Sequence, residues 1–247
     1  MNPKELNKIF NAFSKLNVLI IGDVMIDSYV WGKVTRISPE APVPVVSVSK
    51  KENRLGGAAN VALNIKAMGA TPILCSVIGN DSESNLFLEL LKDEKLSAKG
   101  ILKSRGRITT MKTRVIGNHH QLIRVDEEVE SDISKNETEQ LLLRISHLIN
   151  SEQIDVIIFE DYDKGLITPL LIEQVVKAAG KKKIPIVVDP KKKNFLHYKN
   201  VALFKPNLKE LKEGLKIDFD HHDKNQLQKA VDELRKKLKA DMALITL

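Results

Sequence analysis

The sequence predicts an α/β protein with a mostly parallel central sheet, helices on both of its faces and a small antiparallel β lid. Short apolar runs that end in turn residues alternate with helical patterns along most of the 247 residues. Two segments rich in β-branched residues break this alternation. With 43% hydrophobic residues the chain can bury one substantial core, so we expect a single domain over residues 1–247.

Six apolar runs are predicted to be strands of the parallel sheet, because each is short, is apolar throughout and is followed by turn chemistry. They are NVLIIGD at 17–23, PILCSVIG at 72–79, IDVIIFED at 154–161, IPIVVDP at 184–190, VALFKPN at 201–207 and MALITL at 242–247. The last run is predicted to be a central strand, and such a strand at a terminus would lack cover on one face. We therefore expect the domain to be incomplete at its C-terminal end.

Helix boundaries are predicted between these runs. Ser134 and Glu137 form a plausible capping box for the helix at 134–150. Thr168 opens the helical pattern at 168–180, and Gly180 ends it.

The lid is predicted from segments at about 28–50 and 108–126. SYVWGKV and PVPVVSVSK flank a proline-rich turn, and TTMKTRVIG faces HQLIRVD across a short turn, so both pairs are typical of antiparallel hairpins. A small sheet beside a binding crevice could close over it. Its apolar strands would be exposed in a monomer, so we expect a homodimer in which two lids pack together.

Composition narrows the class of protein. No apolar run approaches 18 residues, and the amphipathic, charged N-terminal segment does not resemble a secretory leader. The single cysteine, Cys75, lies in an apolar run and indicates a reducing cytoplasm. Lys and Arg outnumber Asp and Glu by 18 to 9 from Lys177 to Leu247. Aromatic residues are only 4% and do not interleave with these lysines, which argues against a nucleic-acid partner and leaves a solvated surface or an anionic ligand.

Polar residues follow several of the predicted strands, at the edge where open parallel sheets bind ligands. Each residue alone could be a helix cap or a turn residue, but their grouping predicts a small-molecule site. They are Asp23, Asp27, Asp161, Lys164, Asp189, Asn207 and Glu210.

Two adjacent glycines, Gly56 and Gly57, directly precede a helical pattern that ends at Gly69. Adjacent glycines indicate a positive φ or a close approach to the main chain. The approaching group could be a ligand, or the pair could be only the turn into a buried helix.

These residues carry a resemblance. Gly56, Gly57, Ala58, Asn60, Ala62, Gly69 and Gly79 stand at the spacing of the first signature of the ribokinase-like (PfkB) carbohydrate kinases. The segments GDVMIDSYVWGKVTRISPEAPVPVV, QLIRVDEE, EDYDKG and VDPK are similar to the D-glycero-beta-D-manno-heptose 7-phosphate kinase domain of ADP-heptose synthase. The likeness extends from about Leu16 to the last residue.

The resemblance implies ATP-dependent phosphorylation of the anomeric hydroxyl of a heptose 7-phosphate, in the synthesis of ADP-heptose and the lipopolysaccharide core. It implies that Gly56 and Gly57 let the backbone approach sugar hydroxyls, that Asn60 bonds them, and that Asp27 accepts from them. Asp23 and Asp161 are weaker candidates for the same role. For the sugar phosphate the candidates are Lys112, Arg124 and Arg36, with Lys164 behind them, and exposed strand charge is the alternative for each.

On the nucleotide side, Asn207 and Glu210 resemble the motif that organises Mg²⁺ and the phosphates, Glu210 acting indirectly, and Thr246 resembles a nucleotide contact. The resemblance places the catalytic base in a GAGD motif, which residues 1–247 lack, so we expect it beyond Leu247. The HxGH motif of an adenylyltransferase is also missing, since His119–His120 and His221–His222 do not match it. Two alternatives stay open: a kinase for another sugar or a nucleoside, and an inactive sugar-binding or dimerisation fragment.

Overall fold

A computed structural model describes residues 2–247, which form eleven strands and seven helices. In chain order they are α1 Pro3–Phe13, β1 Asn17–Gly22, β2 Val24–Ile37, β3 Pro44–Gly57, α2 Ala58–Ala67, β4 Thr71–Ile78, α3 Ser82–Asp93, β5 Gly100–Lys103, β6 Met111–Gly117, β7 His120–Glu127, α4 Lys135–Ser151, β8 Val156–Glu160, α5 Pro169–Lys182, β9 Ile186–Asp189, β10 Leu203–Phe204, α6 Leu208–Leu215, α7 Lys224–Leu238 and β11 Met242–Ala243.

The main sheet has seven strands in the order β11-β10-β9-β8-β1-β4-β5, and every pair of neighbours runs parallel. All six predicted strands are present, and the prediction of a mostly parallel sheet is confirmed. The four-residue strand β5 was not predicted, because its short run GILK has too few residues to show a period. The prediction that the last strand is central is wrong for the described residues. Among them, β11 pairs only with β10 and forms an edge of the sheet.

Two apolar clusters cover the two faces of this sheet, as predicted. One joins the sheet to α4, α5, α6 and α7, and the other joins it to α2 and α3. The capping box is confirmed, since the Ser134 side chain accepts from the backbone of Glu137 and the Glu137 carboxylate accepts from the backbone of Ser134. The predicted end of the following helix at Gly180 is wrong by two residues, because α5 runs to Lys182 and the left-handed turn falls at Lys183.

The lid is a separate four-stranded sheet in the order β3-β2-β6-β7, and its strands reach beyond the predicted segments. The prediction of an antiparallel lid needs correction. The pairs β2–β3 and β6–β7 are antiparallel, but β2 and β6 run parallel at the centre. Both central strands leave the carboxyl edge of the main sheet, β2 directly after β1 and β6 shortly after β5, and therefore point the same way.

One side of the β9–β11 region carries little cover. Met242 and Leu244 are about half exposed, whereas Phe204 on the opposite side is fully buried. None of the helices among residues 2–247 is long and apolar enough to cross a bilayer. Cys75 is buried in the core as expected, and its burial raises the pKa of the thiol to about 12.

Candidate functional site

The junction of β3 and α2 places the two glycines against the protein's own chain. Gly57 caps α2 with a φ of 58°, and a Cβ there would lie 2.4 Å from the carbonyl oxygen of Asp23. That carbonyl accepts a hydrogen bond from the backbone N–H of Ala58 across 2.9 Å. Gly57 is therefore required by a positive φ and by a close backbone crossing, independently of any ligand.

Gly56 has a different neighbour, the side chain of Asp27 on β2. A Cβ at Gly56 would lie 2.3 Å from Oδ2 of Asp27, so this glycine makes room for the carboxylate. The other oxygen, Oδ1, accepts from Nη1 of Arg114 on β6 at 2.6 Å. The Asp27 side chain is 22% exposed and is accessible to a ligand. Asn60 is exposed in the first turn of α2, as a ligand-binding amide requires.

Asp23 is held differently from Asp27. It is 4% exposed, and its two oxygens accept from the backbone N–H groups of Tyr162, Lys164 and Leu166 at 3.0, 3.3 and 3.2 Å. Burial raises the pKa of Asp23, although these three hydrogen bonds act in the opposite direction. In the structure Asp23 therefore positions the loop after β8, and its oxygens are already occupied.

Asp161 is similarly buried, at 3% exposure. Its oxygens accept from the Tyr198 hydroxyl at 2.7 Å and from the backbone N–H of Asp163 at 2.9 Å. Burial raises its pKa, and the hydrogen bond from Tyr198 opposes that effect. Like Asp23, it stabilises the loop at the carboxyl edge instead of presenting a free carboxylate.

The basic residues predicted to hold the sugar phosphate are mostly paired with carboxylates. Lys112 contacts Asp126 and Glu128 at 2.9 and 2.6 Å, and Lys164 contacts Glu128 at 2.7 Å. Arg124 contacts Asp126 at 2.8 Å. The three cations thus belong to one ion network beside the lid.

The fourth predicted cation, Arg36, lies elsewhere. It is exposed on β2, nine residues along the strand from Asp27, a span of roughly 30 Å at the usual rise of a strand. The structure does not bring Arg36 to the predicted sugar site.

The three residues predicted to lie on the nucleotide side of the site are close to one another in the structure. Asn207 and Glu210 form the capping box of α6, in which each side chain accepts from the other's backbone N–H. Thr246 bridges to Asn207, and its carbonyl accepts from the backbone N–H of Leu208 at 2.9 Å. The motif therefore has a structural role as a helix start, in addition to the role implied by the resemblance.

Charged residues that the sequence reasoning missed surround this motif. Lys191 is bonded to Glu210, and Lys205 lies 2.7 Å from Asp189 at the end of β9. Glu160 ends β8 directly beside Asp189, and burial followed by repulsion from Asp189 raises its pKa to about 7. The strand-end position of Glu160 and the lysine before Pro206 are signals that could have identified them.

A second group that the sequence reasoning missed lies on the lid. Arg54 of β3 faces Asp27 directly across the sheet, and Arg114 faces Tyr29. Local spacing does not reveal these neighbours, because they depend on the register between strands distant in sequence.

One cluster of metal-binding side chains lies in the loop between α6 and α7. The ligand atoms of Asp220, His221 and His222 all lie within 4.8 Å of one another, and the residues are exposed or half-exposed. The cluster shows no contact with the residues of the predicted site among residues 2–247.

A parallel sheet with a β lid and a group of charged side chains at its carboxyl edge is typical of proteins that bind small molecules. The particular family follows from the comparison of sequences. The profile described as pfkB family carbohydrate kinase matches residues 15–247, and the chain belongs to this family.

Curated relatives are similar over nearly the whole chain. Bifunctional protein HldE of Helicobacter pylori strain J99 is 39% identical over 230 residues, which cover 93% of this chain and 49% of the relative. HldE of Wolinella succinogenes is 36% identical, covering 97% and 50%, and HldE of Pelobacter propionicus is 39% identical, covering 100% and 50%. The chain therefore spans about half the length of the curated relatives it matches.

Solved structures confirm the fold. The tetrameric inhibited form of phosphofructokinase-2 from Escherichia coli matches with a TM-score of 0.72 and 18% identity, covering 94% of this chain and 73% of that chain. Ribokinase from Arabidopsis thaliana, complexed with ribose and ATP, matches with a TM-score of 0.64 and 15% identity, covering 93% and 71%. The ribokinase-like α/β architecture predicted from the sequence is thus established.

Proposed function

We propose that this protein is an ATP-dependent kinase of D-glycero-D-manno-heptose 7-phosphate, which transfers a phosphoryl group to the anomeric hydroxyl and gives the 1,7-bisphosphate. The proposal places the chain in ADP-heptose and lipopolysaccharide core biosynthesis, in the cytoplasm. Family membership supports the reaction class, and the similarity to HldE proteins over 93–100% of the chain supports the choice of sugar.

The single observation that carries the sugar site is the environment of Asp27. Its carboxylate is accessible, lies at the base of the lid beside Gly56, and is held by a guanidinium at 2.6 Å. A carboxylate can accept from two sugar hydroxyls, while an adjacent arginine can contact an anionic substituent of the same sugar. Asn60, exposed on α2, would supply a further hydrogen bond to a hydroxyl.

The nucleotide end is suited to ATP with Mg²⁺. Lys191 and Lys205 supply positive charge for phosphates, and Glu210, Asp189 and Glu160 supply the oxygen atoms that Mg²⁺ prefers. Glu210 would act indirectly, because its oxygens already accept from Asn207 and Lys191. Bound Mg²⁺ would neutralise charge on the transferred phosphoryl group. Thr246 would contact the nucleotide beside Asn207.

A second candidate function is favoured by one observation. Residues 1–247 contain no GAGD motif, in which the family resemblance places the catalytic aspartate and the backbone amides that bind the developing anion. A positioned base alone contributes about 10² to 10⁴ in rate. The second candidate is therefore a chain that binds sugar phosphate without turnover.

The lid supports the proposal of a homodimer. Ile37, Val43, Val48, Leu122, Ile123 and Val125 are between 41% and 60% exposed on its strands and adjoining turns. A second copy of the same lid would cover this apolar surface through an isologous contact.

Two measurements test the function. The first is a coupled ADP-release assay with heptose 7-phosphate, with fructose 6-phosphate and ribose as alternative acceptors and with phosphorus NMR of the product. The second is calorimetric titration of heptose 7-phosphate. Turnover that prefers the heptose supports the kinase, and binding without turnover supports the second candidate. Absence of both overturns the proposed sugar.

A further inference from the structure

One face of the lid sheet carries two aromatic rings and five cationic groups, and we call it the ring face. Side chains of alternate residues on a strand point to the same side, and directly paired residues on adjacent strands share a face. Asp27 pairs with Arg54 on β3, and Tyr29 pairs with Arg114 on β6. The ring face includes Asp27, Tyr29, Trp31, Lys50, Glu52, Arg54, Lys112 and Arg114, with Arg124 and Asp126 beside them on β7.

Both arginines of the ring face converge on Tyr29. The rings of Tyr29 and Trp31 stack with centroids 5.2 Å apart and planes 12° apart, so Trp31 covers one face of Tyr29. The guanidinium carbon of Arg54 lies 5.1 Å from the Tyr29 centroid, and that of Arg114 lies 5.3 Å from it. Arg54 pairs with Asp27 across the sheet and Arg114 bonds it, so both guanidinium groups also lie near the Asp27 carboxylate.

Both guanidinium groups retain hydrogen-bond donors without partners among residues 2–247. Arg54 bonds Glu52 through Nε alone, and its two terminal nitrogens make no hydrogen bond to these residues. Arg114 uses only Nη1, which contacts Asp27 and, at 3.5 Å, the carbonyl of Lys112. The two guanidinium groups beside the Tyr29 ring carry like charges, and four of their nitrogens have no partner among these residues. A bound anion would accept from these nitrogens and offset the repulsion between the two charges.

Two of the cations considered from the sequence, Lys112 and Lys164, are in a different situation. Lys112 is 11% exposed and contacts two carboxylates, and Lys164 is 14% exposed and likewise contacts two. A phosphate would have to displace these carboxylates from largely buried ammonium groups. The ring-face arginines, at 58% and 24% side-chain exposure, can accept an anion while they keep their present partners.

We propose that Arg54 and Arg114 form the subsite for the phosphate group of the sugar whose hydroxyl Asp27 accepts. The inference rests on the proposed function and adds to it a basis for selecting phosphorylated sugars. Asp27 faces the hydroxyls and repels the phosphate, so the phosphate is directed to the arginine side. The exposed ring edges of Tyr29 and Trp31 offer apolar surface to the sugar carbons between the two ends.

The experiment compares Arg54→Met, Arg114→Met and the double variant with Lys50→Met. Lys50 is a matched control because its ammonium lies 4.9 Å from the Trp31 centroid, on the same face but one ring farther from Asp27. Calorimetry measures the dissociation constants for heptose 7-phosphate and for unphosphorylated heptose. Loss of a charged hydrogen bond predicts affinity for the phosphate lower by about 10- to 100-fold in each arginine variant. We expect the affinity for unphosphorylated heptose to stay nearly constant in Arg54→Met. In Arg114→Met it should fall less than the affinity for the phosphate, because Arg114 also holds Asp27. Lys50→Met should change neither affinity.

Equal losses for both sugars, or no loss for the phosphate, would overturn the subsite while the proposed function stands. Inorganic phosphate tests the phosphate subsite separately from the proposed sugar. It should raise the melting temperature of the wild type and of Lys50→Met, but not of the double arginine variant. If the wild type binds no heptose but shows this phosphate pattern, the subsite stands and the proposed sugar is wrong. If phosphate stabilises the double variant as well as the wild type, the subsite is refuted.

Discussion

Nη1 of Arg114 lies 2.6 Å from Oδ1 of Asp27, although the two residues are 87 positions apart in the chain. The contact joins the two parallel central strands of the lid. The hydrogen bond that Arg114 donates to Asp27 raises the pKa of Arg114, so the guanidinium is charged at neutral pH. The proposed sugar site therefore has a permanent positive charge beside its accepting carboxylate.

Asp27→Asn should weaken the binding of heptose 7-phosphate and leave nucleotide affinity nearly unchanged. The amide keeps the volume next to Gly56 but removes the charge that hydroxyls and Arg114 contact. The expected loss is about 1.5 to 3 kcal/mol, the usual range for hydrogen bonds to a charged group. Titration calorimetry with each ligand measures it. Unchanged sugar affinity would exclude Asp27 from the site, and equal loss for both ligands would indicate a folding defect.

Gly57→Ala should destabilise the protein more than Gly56→Ala. The new methyl group at residue 57 would meet a backbone oxygen at 2.4 Å and would force a non-glycine residue to a φ of 58°. The methyl group at residue 56 would meet side-chain atoms of Asp27 and Met25, which can shift. With a φ of 58° and a ψ of −137°, residue 57 has a backbone conformation that is nearly confined to glycine, and such a conformation costs another residue about 1 to 3 kcal/mol.

Thermal and urea unfolding measure the glycine effects. Gly180→Ala is the matched control, because it is exposed in α5, has no heavy atom within 4 Å of its new methyl group and has no positive φ. It should stabilise the protein by about 0.5 to 1 kcal/mol. Destabilisation at Gly56 as large as that at Gly57 would contradict the difference between side-chain and backbone contacts.

Glu160 should make stability fall as pH rises. Burial, followed by repulsion from Asp189, raises the pKa of Glu160 from its ordinary value of 4.5 to about 7. Between these values the folded state holds the proton more tightly than the unfolded state, so folding is favoured at low pH and loses stability up to about pH 7. At about 1.4 kcal/mol per unit of pKa the loss is of the order of 3 to 4 kcal/mol.

The Glu160→Gln variant isolates this effect from the other buried carboxyl groups. Glutamine is neutral at every pH, so the difference in unfolding free energy between the variant and the wild type should change steadily from pH 5 to pH 7. We expect the variant to gain relative to the wild type as pH rises. Urea unfolding at half-unit intervals measures the difference, and a constant difference would show that Glu160 is ionised in the folded protein throughout this range.

If the proposed lid dimer forms, Ile123→Lys combined with Val125→Lys should give a monomer. Both side chains lie on the edge strand of the lid and are 56% and 46% exposed. Burying charges in an isologous contact would place four lysines together and disfavour association. Sedimentation equilibrium at high micromolar concentration measures the mass. Leu143→Lys is the control, since this leucine is 73% exposed on α4 and lies outside the lid. A monomeric wild type would refute the lid dimer.

Much of the fold was predictable because its signals are local. Apolar runs of five to eight residues with turn residues behind them identified six of the seven strands in the main sheet, and Ser134 with Glu137 identified a helix start. These patterns depend on neighbours within four positions in the chain. The strand β5 was missed because four residues, GILK, are too few to establish a pattern. The glycine pair and Asn60 were recognisable because their spacing is itself a family signature.

The sequence by itself determined the class of protein, the sheet-forming runs and the carboxylates near the carboxyl edge. Only the tertiary structure decided which of these carboxylates are accessible to a ligand. Asp23 and Asp27 are four residues apart in the chain. Asp23 is buried against three backbone N–H groups, whereas Asp27 lies on the lid strand β2 and its carboxylate is accessible. The parallel register of β2 with β6 pairs Asp27 with Lys112, yet Lys112 contacts Asp126 and Glu128, and the side chain that bonds Asp27 is the diagonal neighbour Arg114. Register between distant strands depends on how every other element packs, and so no local spacing encodes it.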